Sequence, residues 1–469
     1  MRSRRRHRLA SVAVFAVALS LVGCGISAQS PGPVTTSAAG SSTSAGGSSQ
    51  VPATVKTSTP PLASAVAPSV VASTSAGYTQ APSLPVGSTG GGPLTTANPS
   101  LTATRSAGPQ TPQPTVAGTV SFGNWPLYID IADDGSYPTL NAFTQQTGIK
   151  VDYHEDINDN TEFFGKIQPD LAAGKPTGYD VIVPSDWMVA KLIRLGYLQP
   201  LDKSLLPNYT ANAQDIFKNP WYDPGNEYSI PWQAGIVGIA YNPKLTKRDI
   251  TSFDDLLDPA FAGRSGLFSE MIDTMSMTLL SDGVHPQDAT MADVQAAQQK
   301  LLGPAQRGQF RAFYGNDYYD ALASGDLAIS MAWSGDISQM QIYDNPDVKF
   351  VIPSTGGMLF VDNMTIPNFA QHPADAYKLM DYWYSLQAAV PLTEYIGYFS
   401  PVKGVQEQVA ADAQAKRAAG HPTVADHLEQ ISRDAFPTPE QLQNVFNYKQ
   451  LTEDEERQWN DLFNQVVNG

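Results

Sequence analysis

Four carboxylates stand close to aromatic residues in this chain. Glu270 and Asp273 are three residues apart, Asp336 follows Trp333 by three, and Asp362 follows Phe360 by two. Trp125, Trp187, Trp232 and Tyr398 each lie beside a turn or an extended apolar run. Carboxylates in pairs can do acid–base work or hold a cation. Each residue also has an ordinary reading. A tryptophan is more often core than ligand wall, and an acidic i,i+3 pair commonly opens a solvated helix, where the helix dipole favours it. A secreted glycoside hydrolase is the distant enzymatic alternative. Its retaining form holds two carboxyls about 5–5.5 Å apart, but such pairs normally face each other from different elements. Glu270 and Asp273 are one helical step apart.

Other chemistries lack their residues. The chain has no GxGxxG, P-loop, HExxH or GxSxG, and its six histidines show no metal-ligand spacing. Asp156-Ile157-Asn158-Asp159-Asn160 begins like a calcium loop. It then places Thr161 where glycine is needed and Ile167 where the bidentate glutamate belongs, so it reads as a polar loop before a helix. No metal, cofactor or catalytic residue is expected. Seven of the 29 basic residues precede residue 119, and all 45 acidic residues follow it, leaving 22 positive against 45 negative side chains in the remainder. That excess argues against a nucleic-acid partner and permits cationic ones.

The elements that must position these groups read as α/β. Strands are expected at 119–123, 149–153 and 179–183, with helices at 138–146, 160–173 and 186–195 between and after them. Gly148, Gly174 and Gly196 stop the three helices. This alternation predicts a parallel sheet with ligands at the carboxyl ends of its strands, where Trp125, Ser185 and Trp187 fall. Farther on, 230–241 and 359–366 read as extended apolar crossings, 327–333 and 350–352 as strands, and 373–387, 407–418 and 453–466 as helices. The length suits two lobes.

The N-terminus has a basic stretch, Arg2 to Arg8, and an apolar run over 9–22 that is short for a membrane span. Leu21-Val22-Gly23-Cys24 resembles a bacterial lipobox. Residues 1–23 are therefore expected to be a lipoprotein signal peptide, with Cys24, the only cysteine, as the site of lipid attachment. Residues 24–118, rich in Ser, Thr, Ala, Gly and Pro, read as a disordered tether with an r.m.s. span of roughly 50–60 Å.

Six segments in order resemble the polyamine-binding (spermidine/putrescine) substrate-binding proteins of bacterial ABC transporters. They are Phe122-Gly123-Asn124-Trp125-Pro126-Leu127-Tyr128, Tyr179 to Ser185, Tyr228-Ser229-Ile230-Pro231-Trp232, Ala332 to Asp336, Gly356 to Asp362, and Ile396-Gly397-Tyr398. The resemblance implies a two-lobed periplasmic-binding-protein clamshell of type II-like form, with ligand in the interlobe cleft. It places 119–234 plus 360–406 in lobe 1 and 235–359 plus 407–469 in lobe 2. It gives Trp125, Tyr128, Trp187, Trp333, Phe360 and Tyr398 as aromatic walls and Ser185 as a polar contact. Glu270, Asp273, Asp336 and Asp362 become anions for amines. Leu127 stands where the family usually has an acid, Ala234 near a position often aromatic, and Lys449 near a polar contact. The implied protein is a monomer with no enzymatic activity, exported and lipid-anchored to the outer face of the cytoplasmic membrane. It delivers putrescine or spermidine to permease subunits and their ATPase. Another cationic or neutral solute, such as an opine, an amino-acid derivative or a sugar, is the alternative within the class.

Overall fold

A computed structural model describes residues 118–469. The expected signal peptide, Cys24 and nearly all of the tether lie outside the described residues. Among the described residues no helix is long and apolar enough to cross a membrane.

Ten strands form one sheet: β1 (Thr119–Asn124), β2 (Lys150–Glu155), β3 (Val181–Ile182), β4 (Ser229–Tyr241), β5 (Ser265–Phe268), β6 (Phe310–Tyr314), β7 (Ile329–Trp333), β8 (Lys349–Val351), β9 (Gly357–Thr365) and β10 (Val445–Phe446). The order is β2-β1-β3-β9-β4-β7-β5-β6, with β10 on β9 and β8 on β4. Each outer half is parallel: β1 pairs with β2 and β3, and β5 with β6 and β7. The middle is antiparallel, because β4 and β9 run through both halves and pair over most of their length. This is a two-lobed arrangement, with a βαβαβ run of three parallel strands on each side of two shared crossings. The two extended runs read from the sequence are these crossings. Every residue of β4 is buried, which accounts for its mostly apolar run, broken at Gln233.

Local chemistry explains most element ends. Pro138 opens the first helix (Pro138–Thr147), and Gly148 closes it in the left-handed region. Asp159 caps the helix Asn160–Ala172, accepting from the Thr161 and Glu162 amides. In the calcium-like loop Asp159 and Asn160 therefore serve a helix start, and Asp156 accepts from Lys166 and Tyr179. Among the described residues no cluster of three or more His, Cys, Asp or Glu could hold a metal.

Two expectations need correction. The strand expected over 179–183 forms its ladder only at Val181–Ile182. The helix expected over 373–387 is two helices, Pro373–Tyr382 and Leu386–Ile396. The Ser385 side chain accepts from the Ala388 amide and restarts the helix. Buried Tyr384 turns away to donate to the Pro231 carbonyl at 2.6 Å. Helical spacing alone does not reveal a cap inside an apolar run.

Candidate functional site

Parallel strands of both halves end toward one cavity, and the chain at the ends of β1, β3, β5, β6 and β7 supplies most of its walls. Trp125 and Tyr128 follow β1, and the Trp125 indole donates to the Val183 carbonyl at 2.8 Å. Ser185 precedes the helix Asp186–Arg194, and Trp187 lies in its first turn. From the other half, Glu270 is the N-cap of the helix Met271–Ser281, and Asp273 is in its first turn. Trp333 ends β7, and Asp336 lies in the first turn of the helix Ser334–Tyr343. Phe360 and Asp362 come from β9, two residues apart and so on one face of the strand. Tyr398 follows Gly397, which closes the helix Leu386–Ile396 in the left-handed region. The structure thus brings all eleven sequence-predicted side chains to the wall of one cavity of about 440 Å³, counting its mouth.

Two glycines make room. Gly235 on β4 pairs with Phe360, and a Cβ there would lie 2.6 Å from the Phe360 ring. A Cβ on Gly335 would lie 2.2 Å from the Tyr398 ring. The aromatic walls interlock. Trp333 stacks on Phe268 at 4.3 Å between centroids and receives Trp125 edge-on at 6.4 Å. Tyr128 meets Tyr398 edge-to-face at 4.8 Å. Such walls present π faces to apolar chain and to cations.

Each carboxylate is buried and held by uncharged donors. Asp362 accepts from the Ser185 hydroxyl at 2.7 Å and the Tyr128 hydroxyl at 2.9 Å. Asp336 accepts from Tyr398 at 2.7 Å and Tyr318 at 2.9 Å. Asp273 accepts from the Tyr448 hydroxyl. Glu270 accepts from the Asn160 backbone amide at 2.6 Å and from its side-chain amide at 2.9 Å and 3.2 Å. Among the described residues no Lys, Arg or His lines the cavity. Burial accordingly pushes the Asp362 carboxyl up to about 7, against the pull of its two hydroxyl donors. Burial also pushes Asp273 to about 7, and it raises Glu270 well above the usual carboxylate range, with the charges of Asp159 and Asp273 adding to it. Burial likewise keeps the Tyr128 and Tyr398 phenols protonated, so they act as donors. A pocket that collects anions, provides no internal cation and offers aromatic walls is suited chemically to an organic cation.

Sequence reasoning missed Pro126, Asn316 and Tyr448 on the wall. Asn447-Tyr448-Lys449 carries no motif, and only the return of the chain at β10 brings Tyr448 to Asp273. Three departures noted in the sequence lie off the wall. Leu127 is flanked by two lining residues, but its side chain packs against the core and its carbonyl accepts from Gln339 at 3.2 Å. Ala234 is buried and pairs with Phe399. The Lys449 ammonium donates to the Ala289 carbonyl at 2.8 Å, and the lining residue is its neighbour Tyr448.

Residues 139–423, more than half of the chain, match the bacterial extracellular solute-binding proteins. The chain is 31% identical over 293 residues to spermidine/putrescine-binding periplasmic protein 1 of Haemophilus influenzae, covering 62% of this chain and 77% of that one. It is 32% identical over 293 residues to the putrescine-binding periplasmic protein SpuD of Pseudomonas aeruginosa, covering 59% and 76%. Among solved structures, it is similar to the spermidine/putrescine ABC transporter substrate-binding protein PotD of Streptococcus pneumoniae. There the TM-score is 0.59 at 26% identity, covering 75% of this chain and 98% of that one. With its two crossings, its parallel halves and a cavity at their strand ends, the chain belongs to the bacterial extracellular solute-binding protein family.

Proposed function

We propose that this protein is an extracytoplasmic binding protein that captures a polyamine, putrescine or spermidine, and passes it to an ABC permease. The observation that carries the reading is the set of four buried carboxylates on an aromatic-walled cavity with no lining cation. A polyamine is an apolar chain with ammonium groups that stay charged near neutral pH. Taking an ammonium out of water costs several kcal/mol, roughly, unless a carboxylate meets it. A ring face contributes about 0.5–2 kcal/mol more. Asp362 and Asp273, held near neutrality by burial, regain their charge when an ammonium arrives. The names of the similar proteins support the same ligand class and a binding role without chemistry of its own.

The eleven lining residues named from the sequence form the proposed ligand site, ten of them as contacts and Glu270 as a hydrogen-bond acceptor within its wall. The lobe boundaries proposed are those read from the sequence, at 234/235, 359/360 and 406/407. A lipid on Cys24 would anchor a monomer to the outer face of the cytoplasmic membrane through the 24–118 tether. Cys24→Ser should release the protein from membranes into the soluble fraction. Titration calorimetry of the purified protein against putrescine, spermidine, spermine and a neutral diol control tests the ligand. Saturable binding of one or more amines with none of the diol is expected. Binding of the diol alone, or of none of the four, would overturn the reading.

A further inference from the structure

Asn160 connects three segments of the chain around the cavity. It is 2% exposed and opens the helix Asn160–Ala172, in the half that holds β1 and β2. Its side-chain amide donates to the Ser185 hydroxyl at 2.9 Å, and its side-chain carbonyl accepts from the Ser185 backbone amide at 3.1 Å. Across the cleft the same amide group donates to Glu270, as does the Asn160 backbone amide. Ser185 in turn donates to Asp362 on the shared strand β9. One residue thereby ties the first half, the second half and the crossing together. The contact does not stand alone. Ser269 donates to Asp159 at 2.8 Å, beside the Asn160–Glu270 pair.

Glu270 differs from the other carboxylates in how its acceptor sites are used. An ionised carboxylate has about four. The Asn160 backbone and side-chain amides reach both oxygens of Glu270, in three contacts of 2.6 Å, 2.9 Å and 3.2 Å. Asp362 accepts two hydroxyls, one on each oxygen, and keeps sites for an ammonium. We propose that Asn160 is a positioning residue that latches the two halves closed, and that Glu270 is its acceptor rather than an amine contact. The amines are then read by Asp273, Asp336 and Asp362. The part of this inference that concerns amines rests on the polyamine reading above; the latch itself does not.

An acceptor can be neutral, whereas an amine contact needs charge, and this difference gives the test. Dissociation rates of putrescine and spermidine are measured for wild type, Asn160→Ala, Glu270→Ala and Glu270→Gln, with the ligand-free radius of gyration from small-angle scattering. Asn160→Ala and Glu270→Ala should each dissociate ligand about tenfold faster, since losing a buried charged hydrogen bond acts mainly on the off-rate. Glu270→Gln, whose carbonyl still accepts from Asn160, should return to within about threefold of wild type. The putrescine-to-spermidine preference should stay the same in all variants, and ligand-free Asn160→Ala should be larger than wild type. Glu270→Gln as impaired as Glu270→Ala would show that the charge reads an amine and overturn the proposal. So would Asn160→Ala with unchanged size and off-rate. If Asn160→Ala does not fold, the Glu270 pair decides. If wild type binds no polyamine, the function proposed above fails, and the ligand-free sizes of wild type and Asn160→Ala still decide the latch.

Discussion

Ligand capture should be coupled to proton release, and the coupling can be worked from the site. Asp362 and Asp273 are held at about 7 in the ligand-free protein, each chiefly by burial. An ammonium beside either carboxylate stabilises its ionised form and returns it toward the ordinary acid range. Below neutrality the ligand must therefore displace a proton, and apparent affinity falls as pH falls. One group of pKa about 7 lowers the affinity about tenfold between pH 8 and pH 6, and two such groups lower it about a hundredfold. The sign for stability is opposite in the ligand-free state. A carboxyl raised from the ordinary range to about 7 is protonated in the fold where the unfolded chain is already ionised. Stability thus falls as pH rises through this window, by about 4 kcal/mol for Asp362 alone, and ligand restores it. Calorimetry in buffers of different ionisation heat measures the protons released, and a pH series measures the slope. Asp362→Asn should weaken binding at least about tenfold at pH 8 and remove one group's share of the slope. Affinity independent of pH from 8 to 6, with no proton released, would refute the electrostatic reading of the site.

Tyr448→Phe removes the hydroxyl whose hydrogen bond holds Asp273 down. Its pH midpoint for binding should move upward, which the same pH series reads. Trp333→Ala removes the ring that stacks on Phe268 and walls the cavity. Amine affinity should drop by about 1–3 kcal/mol in calorimetry while the pH slope persists. Gly335→Ala drives a methyl into the Tyr398 ring. It should cost about 1–3 kcal/mol of stability by overpacking, seen in denaturant titration, and weaken binding by displacing the donor to Asp336.

Strand ends and glycine stops were legible because they are local. Gly148, Gly174 and Gly196 all lie in the left-handed region where the sequence placed helix ends. The apolar runs over β4 and β9 were legible because both strands are buried along nearly their full length. The pairing was less accessible. The antiparallel joining of two parallel halves depends on which distant strands meet, and nothing in either run specifies its partner. The strands and helices of 265–314 went unread, since short β5 and β6 and the buried helix Met271–Ser281 lack clean periodicity. In the candidate site, the aromatic and acidic walls could be named through six matching segments. Asn160 and Tyr448 could not, because each is defined by what it meets 110 and 175 residues away.

The donors around the carboxylates explain how such a cavity can exist before its ligand arrives. Lys or Arg partners would neutralise these acids permanently, and an incoming ammonium would then have to displace a buried ion pair. Tyrosine, serine and asparagine donors instead stabilise each carboxylate partly, and burial keeps Asp362 and Asp273 close to protonation. A proton is the placeholder that a more strongly held cation can replace. Hydroxyl rotors also permit rearrangement, since Tyr128 and Ser185 can go on donating to Asp362 while an ammonium takes its remaining sites. The choice of neutral donors over cations is thus the feature of this sequence that makes an acidic cavity both foldable and receptive.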